Sequence, residues 1–477
     1  MKREFDLAII GGGSAGLLAA HVAPKLGLRA ALIERSRLGG DCLWTGCVPS
    51  KALLASAKAA HILRNAGKYG LPAHEPEIDT AAVWRRIREI QESIAAGEDS
   101  PEAVRDGGAD VIFGEATLAD AHTVRVGERT LTARYILICT GSRPATPPID
   151  GLQDVGFLSS ENLFQQERAP DSLLIVGGGP IGVEMAQAMN RLGVKVTLLE
   201  MAGGILARDE PTLTALLTEV LRDEGVDVQT NVQLLRASLD NGGKVLQGTL
   251  AGEERSWSAA EILVTAGRTP NIDSLRLDDA GVRVGPRGII VDKKLRSSVK
   301  SVYAVGDCAG RFLFTHTAGA ETAAALRNMF YPGTQDAPEI VPWTTFTDPE
   351  LAHVGMTSDE ARAARGEDQV RVYERDIGLS DRGRAESAPP GRVIVVADTS
   401  HKILGAHILA PPAGEMIGQF TLAMAQGIKL IPAFRDLIQV YPTFSTGLAQ
   451  LTEDAVYEQL DRPLYRALRR LNDFLGD

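Results

Sequence analysis

The stretch Phe-Asp-Leu-Ala-Ile-Ile-Gly-Gly-Gly-Ser-Ala-Gly, residues 5–16, decides the fold of this chain. Its first half predicts a buried parallel strand, and a helical pattern follows from Leu17 to about Leu26. A second strand, 30–33, then ends at an acid, Glu34. This order of strand, Gly-x-Gly-x-x-Gly, helix, strand and acid predicts a dinucleotide site, because the glycines admit a pyrophosphate and the acid binds ribose hydroxyls. The glycines of the pattern are Gly11, Gly13 and Gly16.

The same unit occurs a second time, beginning with Leu-Leu-Ile-Val-Gly-Gly-Gly-Pro-Ile-Gly at residues 173–182. The interval from first glycine to acid is 23 residues in both units, from 11 to 34 and from 177 to 200. Two units predict two dinucleotides. The second acid, Glu200, repels a 2′-phosphate and therefore predicts NADH rather than NADPH, and the nearest downstream cation is Arg208. The glycines here are Gly177, Gly179 and Gly182.

Between these units lies a cysteine pair, in Gly-Gly-Asp-Cys-Leu-Trp-Thr-Gly-Cys-Val-Pro-Ser-Lys at residues 39–51. Cys47 is predicted to begin a helix, where the partial positive charge lowers a thiol pKa, and Cys42 to lie just outside it, further toward solvent. Such a pair suits a dithiol that cycles with a disulfide. Two structural cysteines or half a metal site are the alternatives, although Cys139 and Cys308, isolated from each other, do not supply a second zinc pair.

Length and charge limit the function classes. The 477 residues predict about two to four domains, and the net charge of −11 disfavours a nucleic-acid or anionic-membrane partner. Four cysteines in so long a chain do not form a disulfide scaffold, so we expect a reducing cytoplasm. The uncharged run 7–20 is rich in glycine and too short to span a bilayer, so no membrane insertion is expected.

These motifs resemble those of the class I pyridine nucleotide–disulfide oxidoreductases, the family of dihydrolipoamide dehydrogenase, glutathione reductase and mercuric reductase. The family motif Gly-Gly-x-Cys-x-x-x-x-Gly-Cys-x-Pro-[Ser/Thr]-Lys fits at every fixed position, although Asp41, Trp44 and Thr45 are unusual at the variable ones. The resemblance covers essentially the whole chain. It implies an α/β fold, with two Rossmann-like domains for FAD and NAD(H) and a C-terminal α+β dimerisation domain.

The resemblance also implies domain boundaries. The FAD domain would comprise 1–148 and 273–338, the NAD(H) domain 149–272, and the dimerisation domain 339–477. The last of these would end in a basic amphipathic helix from Leu464 to Leu475, whose basic face is solvated.

Site residues follow from the same resemblance, and no resident metal is expected. Lys51 and Glu184 would form an ion pair beside the flavin; each could otherwise be an exposed helical charge. The residues expected to bind FAD are Gly11, Gly13, Ser14, Gly16, Glu34, Gly40, Lys51, Thr140, Gly141 and Asp307. Those expected to bind the nicotinamide cofactor are Gly177, Gly179, Gly182, Glu200 and Gly267.

One family motif is altered. Relatives that reduce disulfides place His-Pro-Thr-x-x-Glu from the partner subunit at the dithiol, and the imidazole moves the proton of the substrate thiol. This chain has Tyr441 and Thr446 at those positions, and no histidine follows His407. Mercuric reductase resembles the chain in having a tyrosine there, but it also uses a C-terminal cysteine pair, whereas no cysteine follows Cys308 here.

We therefore expect a homodimeric, cytoplasmic enzyme that passes electrons from NADH through FAD to Cys42 and Cys47. Cys47 would be the thiol next to the flavin and Cys42 the thiol that meets the acceptor. The acceptor would need little base catalysis, as a thiophilic metal ion, a reactive sulfur species or a quinone does. The alternatives are a dihydrolipoyl dehydrogenase with another base, and a flavin-loaded sensor or binding subunit with little turnover.

Overall fold

The structure is a computed structural model, which describes residues 3–460 and residue 467. All but one residue of the helix predicted at Leu464–Leu475 lies outside the described residues. Within the described part of the chain, no helix is long and apolar enough to cross a membrane.

The first sheet combines strands from two distant parts of the chain. Phe5–Ile10 is its centre and pairs in parallel with Ala30–Glu34 on one side and Arg129–Ile138 on the other. The late strand Val302–Ala304 joins Arg129–Ile138, also in parallel. The remaining strands are Asp110–Phe113 and the antiparallel pair Ala116–Asp120 and Thr123–Val126. The helices Ser14–Lys25 and Thr315–Phe330 cover one face and share a hydrophobic core with it.

The second sheet is built from the repeated unit. Its parallel strands are Asp227–Gln229, Lys195–Leu199, Ser172–Val176 and Glu261–Val264, in that order. The helices Pro180–Arg191 and Pro211–Asp223 follow its first two strands along the chain. A three-stranded antiparallel sheet of Val232–Asp240, Gly243–Leu250 and Glu253–Ala259 follows along the chain. A two-stranded antiparallel ribbon, Ser142–Pro144 with Arg268–Pro270, connects the second sheet to the first.

The third sheet is antiparallel, with strands Trp343–Thr345, Glu350–Gly355, Ile403–Ala410, Arg392–Asp398 and Val370–Asp376 in that order. The strand Ile403–Ala410 is buried along its whole length. Its apolar side chains pack with Phe420 and Phe434 of the covering helices. These and the neighbouring helices are Ser358–Arg365, Asp381–Ala385, Ala413–Ala425, Leu430–Asp436 and Thr446–Leu460.

The helix Cys47–Arg64, called the dithiol helix below, packs between units. One hydrophobic cluster contains Leu53 of this helix, Trp84 of the helix Thr80–Ala95 and Val183 of the helix Pro180–Arg191. Its position is therefore fixed by packing against the helices Thr80–Ala95 and Pro180–Arg191. The other helices of the first 170 residues are Gly40–Trp44, Thr80–Ala95, Pro101–Asp106, Leu152–Val155 and Ser160–Leu163.

Candidate active site

The two glycine loops have the same geometry. Gly11 and Gly177 have φ of +107° and +108°, a region that favours glycine. A Cβ added at Gly16 would lie 1.8 Å from the carbonyl oxygen of Gly11, and one at Gly182 would lie 2.0 Å from that of Gly177. The loops therefore turn directly into their helices, the first of which begins at Ser14 rather than at the expected Leu17.

The two acids are also held alike. Glu34 accepts backbone N–H bonds from Gly12 (2.7 Å) and Ser36 (2.8 Å), one on each carboxylate oxygen. Glu200 accepts from Gly178 (2.5 Å) and Ala202 (2.6 Å) in the same way. Each carboxylate is thus held by two backbone N–H groups, one of which belongs to its own glycine loop.

The nearest downstream cation, Arg208, has a contact of its own in the C-terminal domain. The guanidinium of Arg208 stacks 4.9 Å from the ring centroid of Trp343, in the third sheet. Trp343 in turn donates its indole N–H to Asp209 at 2.9 Å. Arg208 is thereby directed to the C-terminal domain.

The first unit has two features that suit the expected FAD: a close contact between glycines and a buried hydroxyl group. A Cβ added at Gly40 would lie 2.7 Å from the Cα of Gly13, so the two loops meet where only glycine fits. The hydroxyl of Thr317, in the first turn of the helix Thr315–Phe330, is buried without a hydrogen-bond partner in the described part of the chain. A close glycine contact at a helix N-terminus and an unsatisfied hydroxyl suit a ligand with phosphate and hydroxyl groups.

Asp307 lies in the turn Gly306–Ala309, just after the strand Val302–Ala304, and has partners that sequence reasoning missed. Ser142 donates its hydroxyl to Asp307 at 2.5 Å, and Arg268 donates to Ser142 at 2.6 Å. Burial raises the pKa of Asp307, while Ser142 and Arg268 oppose this. Arg268 directly follows the predicted Gly267, which is the signal that could have found it. Thr140 and Gly141 precede Ser142, and Gly141 has φ of +65°.

The unusual residues of the cysteine motif stabilise its turn. Asp41 pairs with Arg268 at 3.1 Å and accepts a bond from the Thr45 hydroxyl at 2.6 Å. Trp44 donates to the carbonyl of Leu38 at 2.7 Å. The ion pair with Arg268 therefore joins the turn of the cysteine motif to the ribbon strand Arg268–Pro270.

The structure brings Cys42 and Cys47 together with Thr315, whose hydroxyl oxygen lies 3.5 Å from the Cys47 sulfur. Cys47 begins the dithiol helix, as predicted. The predicted order of exposure is wrong: Cys47 is exposed and Cys42 is half-buried. The reason is that Cys42 lies within the short helix Gly40–Trp44, whereas Cys47 opens the following helix.

The two thiols have opposite acidities. The pKa of Cys47 is lowered to about 6, chiefly because Cys42 donates a hydrogen bond to its thiolate, with Thr315 and the charge of Lys51 acting in the same direction. The pKa of Cys42 is raised, first by that same bond and then by burial. Cys47 is therefore the thiolate of the reduced pair at neutral pH.

This hydrogen bond yields a testable prediction. In the reduced protein, Cys42→Ala should raise the pKa of Cys47 from about 6 toward the ordinary thiol value of about 8.5, because the largest stabilising contact is lost. The pH dependence of iodoacetamide alkylation at Cys47 measures it. Cys42→Ser, which keeps a donor, should give an intermediate value. An unchanged pKa in Cys42→Ala would assign the effect to the helix N-terminus and Lys51.

Lys51 and Glu184 form the expected ion pair, with 2.8 Å between Nζ and Oε2. Glu184 is buried, and its other oxygen accepts the backbone N–H of Phe346 at 2.9 Å. Lys51 Nζ lies 4.3 Å from the ring centroid of Phe346. The lysine, one turn after Cys47, is thus held by a buried carboxylate and a ring, so neither charge of the pair is the exposed helical charge of the alternative interpretation.

Tyr441 lies in the C-terminal domain and has a partner that the sequence did not reveal. Its hydroxyl donates to Asp381 at 2.6 Å, and this contact raises the pKa of the phenol. Thr446, at the position of the family's glutamate, instead contacts its own turn: its hydroxyl accepts from the N–H of Thr443 (3.2 Å) and lies 3.4 Å from the carbonyl of Val440. Tyr441 and Asp381 line a cavity of about 350 Å³ whose walls come entirely from residues 374–382 and 441–450.

Two dinucleotide units, a dithiol beside the first and an antiparallel C-terminal domain define a flavoprotein disulfide reductase. The chain belongs to the pyridine nucleotide-disulphide oxidoreductase family: the family's sequence model matches residues 5–322, and that of its dimerisation domain matches residues 341–452.

The chain is similar to several members of this family. It is 32% identical to a mercuric reductase of Bacillus cereus over 456 residues, 94% of this chain and 72% of the relative. It is 33% identical to a dihydrolipoyl dehydrogenase of Thermus scotoductus over 472 residues, 96% and 98% of the two chains. Among solved structures, the Cu(II) complex of the HOCl-induced flavoprotein disulfide reductase RclA from Escherichia coli superposes with a TM-score of 0.83 at 29% identity, over 94% and 99% of the chains.

The predicted family, fold class and enzyme class are therefore confirmed. The chain is an FAD- and NAD(P)H-dependent disulfide oxidoreductase and carries the family's dimerisation domain. Within the residues that the structure describes, no group of three or more His, Cys, Asp or Glu side chains is arranged to hold a metal ion.

Proposed function

We propose that this enzyme uses NADH to reduce a small acceptor. The acceptor that the site favours first is a thiophilic metal ion; a reactive sulfur species or a quinone comes second. The observation that carries the proposal is the Tyr441–Asp381 pair: Tyr441 stands where disulfide-reducing relatives have a histidine, and its hydroxyl is bonded to Asp381. A phenol of raised pKa is a poor acid or base at neutral pH. A metal ion accepts electrons with no thiolate leaving group to protonate.

The residues present fit FAD, and each has a part in the proposal. Bound FAD supplies the two-electron relay between the nicotinamide and the disulfide. Asp307 and the first glycine loop would hold it, and Lys51 places a fixed positive charge beside the Cys47 thiolate. Cys42, whose pKa is raised, retains its proton until the acceptor arrives. Cys42 then binds the acceptor as its thiolate and releases its proton to solvent, and the pair returns to the disulfide as it gives up two electrons, to one mercuric ion or to two cupric ions.

The relatives agree with a metal acceptor. Mercuric reductases of three further genera are among the similar proteins, at 30–34% identity. RclA has been solved as a Cu(II) complex. The second candidate, dihydrolipoyl dehydrogenase, is favoured by the nearly full-length similarity to the Thermus scotoductus protein.

A homodimer is part of the proposal. The dimerisation domain is present, and the exposed Tyr441 would face the partner's Cys42 across the dimer axis. A cytoplasmic setting is proposed as well, because the free Cys42 and Cys47 need a compartment that permits their reduced form.

An acceptor panel tests the function. The protein with its flavin is reduced by NADH under anaerobic conditions, and flavin reoxidation is followed with mercuric ion, Cu²⁺, a polysulfide, a quinone, lipoamide and glutathione disulfide. Rapid reoxidation by a metal ion, lost in Cys42→Ser, supports the proposal. Reoxidation by lipoamide alone would favour dihydrolipoyl dehydrogenase.

Cofactor choice gives a separate prediction. NADH should reduce the flavin about a hundredfold more efficiently than NADPH, because the fixed Glu200 carboxylate opposes a 2′-phosphate. Stopped-flow kcat/KM values for the two cofactors measure this. Glu200→Ala should narrow the gap, while Asp227→Ala, which removes a carboxylate on the neighbouring strand, should leave it unchanged. A wild-type preference for NADPH would contradict the prediction.

A further inference from the structure

The contact between Tyr441 and Asp381 joins two segments that are 60 residues apart. The tyrosine side chain is 66% exposed, yet its hydroxyl hydrogen points to Asp381 in its own subunit. The phenol therefore presents its oxygen lone pairs, and not its hydrogen, to whatever faces it from outside.

We propose that Asp381 is a positioning residue that commits the Tyr441 hydroxyl hydrogen and so selects acceptors that need no proton at the partner's dithiol. The inference rests on the proposed function, whose dimer brings Tyr441 to the partner's Cys42. It adds a carboxylate that is bonded to the phenol and gives that carboxylate a part in specificity.

Asp381 is held firmly enough to orient the phenol. Ser380, just before it, accepts the N–H of Gly383 at 3.1 Å and donates its hydroxyl to the carbonyl of Ile377 at 2.7 Å. A Cβ added at Gly383 would lie 2.5 Å from the carbonyl oxygen of Gly378. This turn leaves Asp381 at the first position of its helix, with its carboxylate on the cavity that Tyr441 lines.

Other charges around the cavity have their own contacts. Glu374 bonds to Arg392 at 3.3 Å, and Asp376 accepts the N–H of Leu379 at 3.2 Å. Arg382 pairs with Glu386. Arg375 lies 3.5 Å from the side-chain oxygen of Gln450. Asp381 is the carboxylate bonded to the phenol.

Disulfide and metal acceptors differ in whether they need a proton. A disulfide acceptor releases a thiolate that must be protonated, and the Tyr441 hydrogen can serve only if its bond to Asp381 breaks. A metal ion takes electrons with no such step, and an oxygen with free lone pairs next to a carboxylate also favours a cation. The pair therefore disfavours disulfides without impairing metal reduction.

The test compares the ratio of metal to disulfide turnover in four variants. They are Asp381→Asn, Tyr441→Phe, the double variant, and Glu386→Gln as a charge-neutralising control on the same segment. Mercuric ion and glutathione disulfide are the two acceptors, with NADH in excess. Fluorine NMR of protein containing 3-fluorotyrosine follows Tyr441 itself, since the loss of one of the eight tyrosine resonances in Tyr441→Phe assigns it.

Asp381→Asn should lower the metal-to-disulfide ratio by roughly tenfold, the factor that one hydrogen bond to a charged group typically supplies. It should also lower the pKa at which the Tyr441 resonance titrates, whereas Glu386→Gln should change neither. In the Tyr441→Phe background, Asp381→Asn should leave the ratio as it was.

A fall in the ratio that persists in Tyr441→Phe, or an unchanged Tyr441 titration in Asp381→Asn, would overturn the inference. A wild type that reduces glutathione disulfide but no metal ion would instead defeat the proposed function, while the fluorine titration still reports on the contact. The two failures are therefore distinguishable.

Discussion

Replacing Cys47 by serine should lower acceptor reduction by at least about a thousandfold, because no disulfide can then form to receive electrons. Cys42→Ser should lower it to a similar extent, since the pair can then no longer cycle with a disulfide. In both variants NADH should still bleach the flavin, because Lys51, Glu184 and the glycine loops are unchanged. Stopped-flow flavin reduction and steady-state acceptor turnover separate the two half-reactions.

The two variants should differ in their spectra. Cys42→Ser leaves Cys47 without a disulfide partner, so above the pKa of Cys47 a long-wavelength charge-transfer absorption should be present without any reductant. Cys47→Ser should show none after reduction. Cys139→Ala, which changes a buried cysteine outside the pair, is the control and should retain turnover. The reverse spectral assignment would show that the roles of Cys42 and Cys47 are exchanged.

The repeated units could be predicted because their signal is local. A strand, three glycines and an acid lie within one stretch of chain, and their spacing alone defines the loop that Gly11 and Gly16 close. The position of Cys47 at a helix start was likewise readable from Pro49 and Ser50, which suit the first turn. Such patterns can be predicted because they depend on residues that are close together in the sequence.

The missed residues act over long sequence distances. Thr315 contacts Cys47 across 268 positions, and Arg268 reaches Ser142 across 126. No periodicity connects such residues, because tertiary packing alone brings them together. The order of exposure of the two cysteines was wrong for the same reason: it depends on how the short helix around Cys42 packs, and not on the motif.

The altered C-terminal motif contains residues that the sequence predicted and one that it did not. The sequence identified Tyr441 and Thr446 as departures from the family, which required only alignment of a short segment. It did not indicate that a carboxylate would be found at Asp381, because that residue precedes Tyr441 by 60 positions and begins a separate short helix. The site therefore has a carboxylate beside its aromatic residue after all, bonded to a phenol instead of an imidazole.

Slow turnover of ordinary disulfides is the second large effect that we expect. Reduction of lipoamide or glutathione disulfide at pH 7 should be about 10²–10⁴-fold slower than in relatives with the His–Glu pair, the usual contribution of general acid–base catalysis. Reduction of the flavin by NADH should nevertheless be fast. Coupled assays with each disulfide, alongside the NADH half-reaction, measure both quantities on one preparation.

The pH dependence follows from the pKa of Tyr441, which the contact with Asp381 raises above the ordinary phenol value of about 10. A phenol acts as a base only when ionised, so oxidation of dihydrolipoamide should be slow at pH 7 and increase only toward strongly alkaline pH. Ionisation of the substrate thiol gives an alkaline rise too. Tyr441→Phe separates the causes, because a rise that survives it belongs to the substrate.

Restoring the family's pair should restore disulfide turnover. Tyr441→His with Thr446→Glu supplies an imidazole that titrates near neutral pH, and should raise turnover of lipoamide or glutathione disulfide by about tenfold or more. Tyr441→His alone is the matched control, since it lacks the orienting glutamate and loses the phenol's bond to Asp381. Thr446→Glu also removes the contacts of Thr446 with Thr443 and Val440, so thermal unfolding of each variant must accompany the kinetics. Fast lipoamide turnover by the wild type at pH 7 would contradict this reasoning, because another group would then be moving the proton.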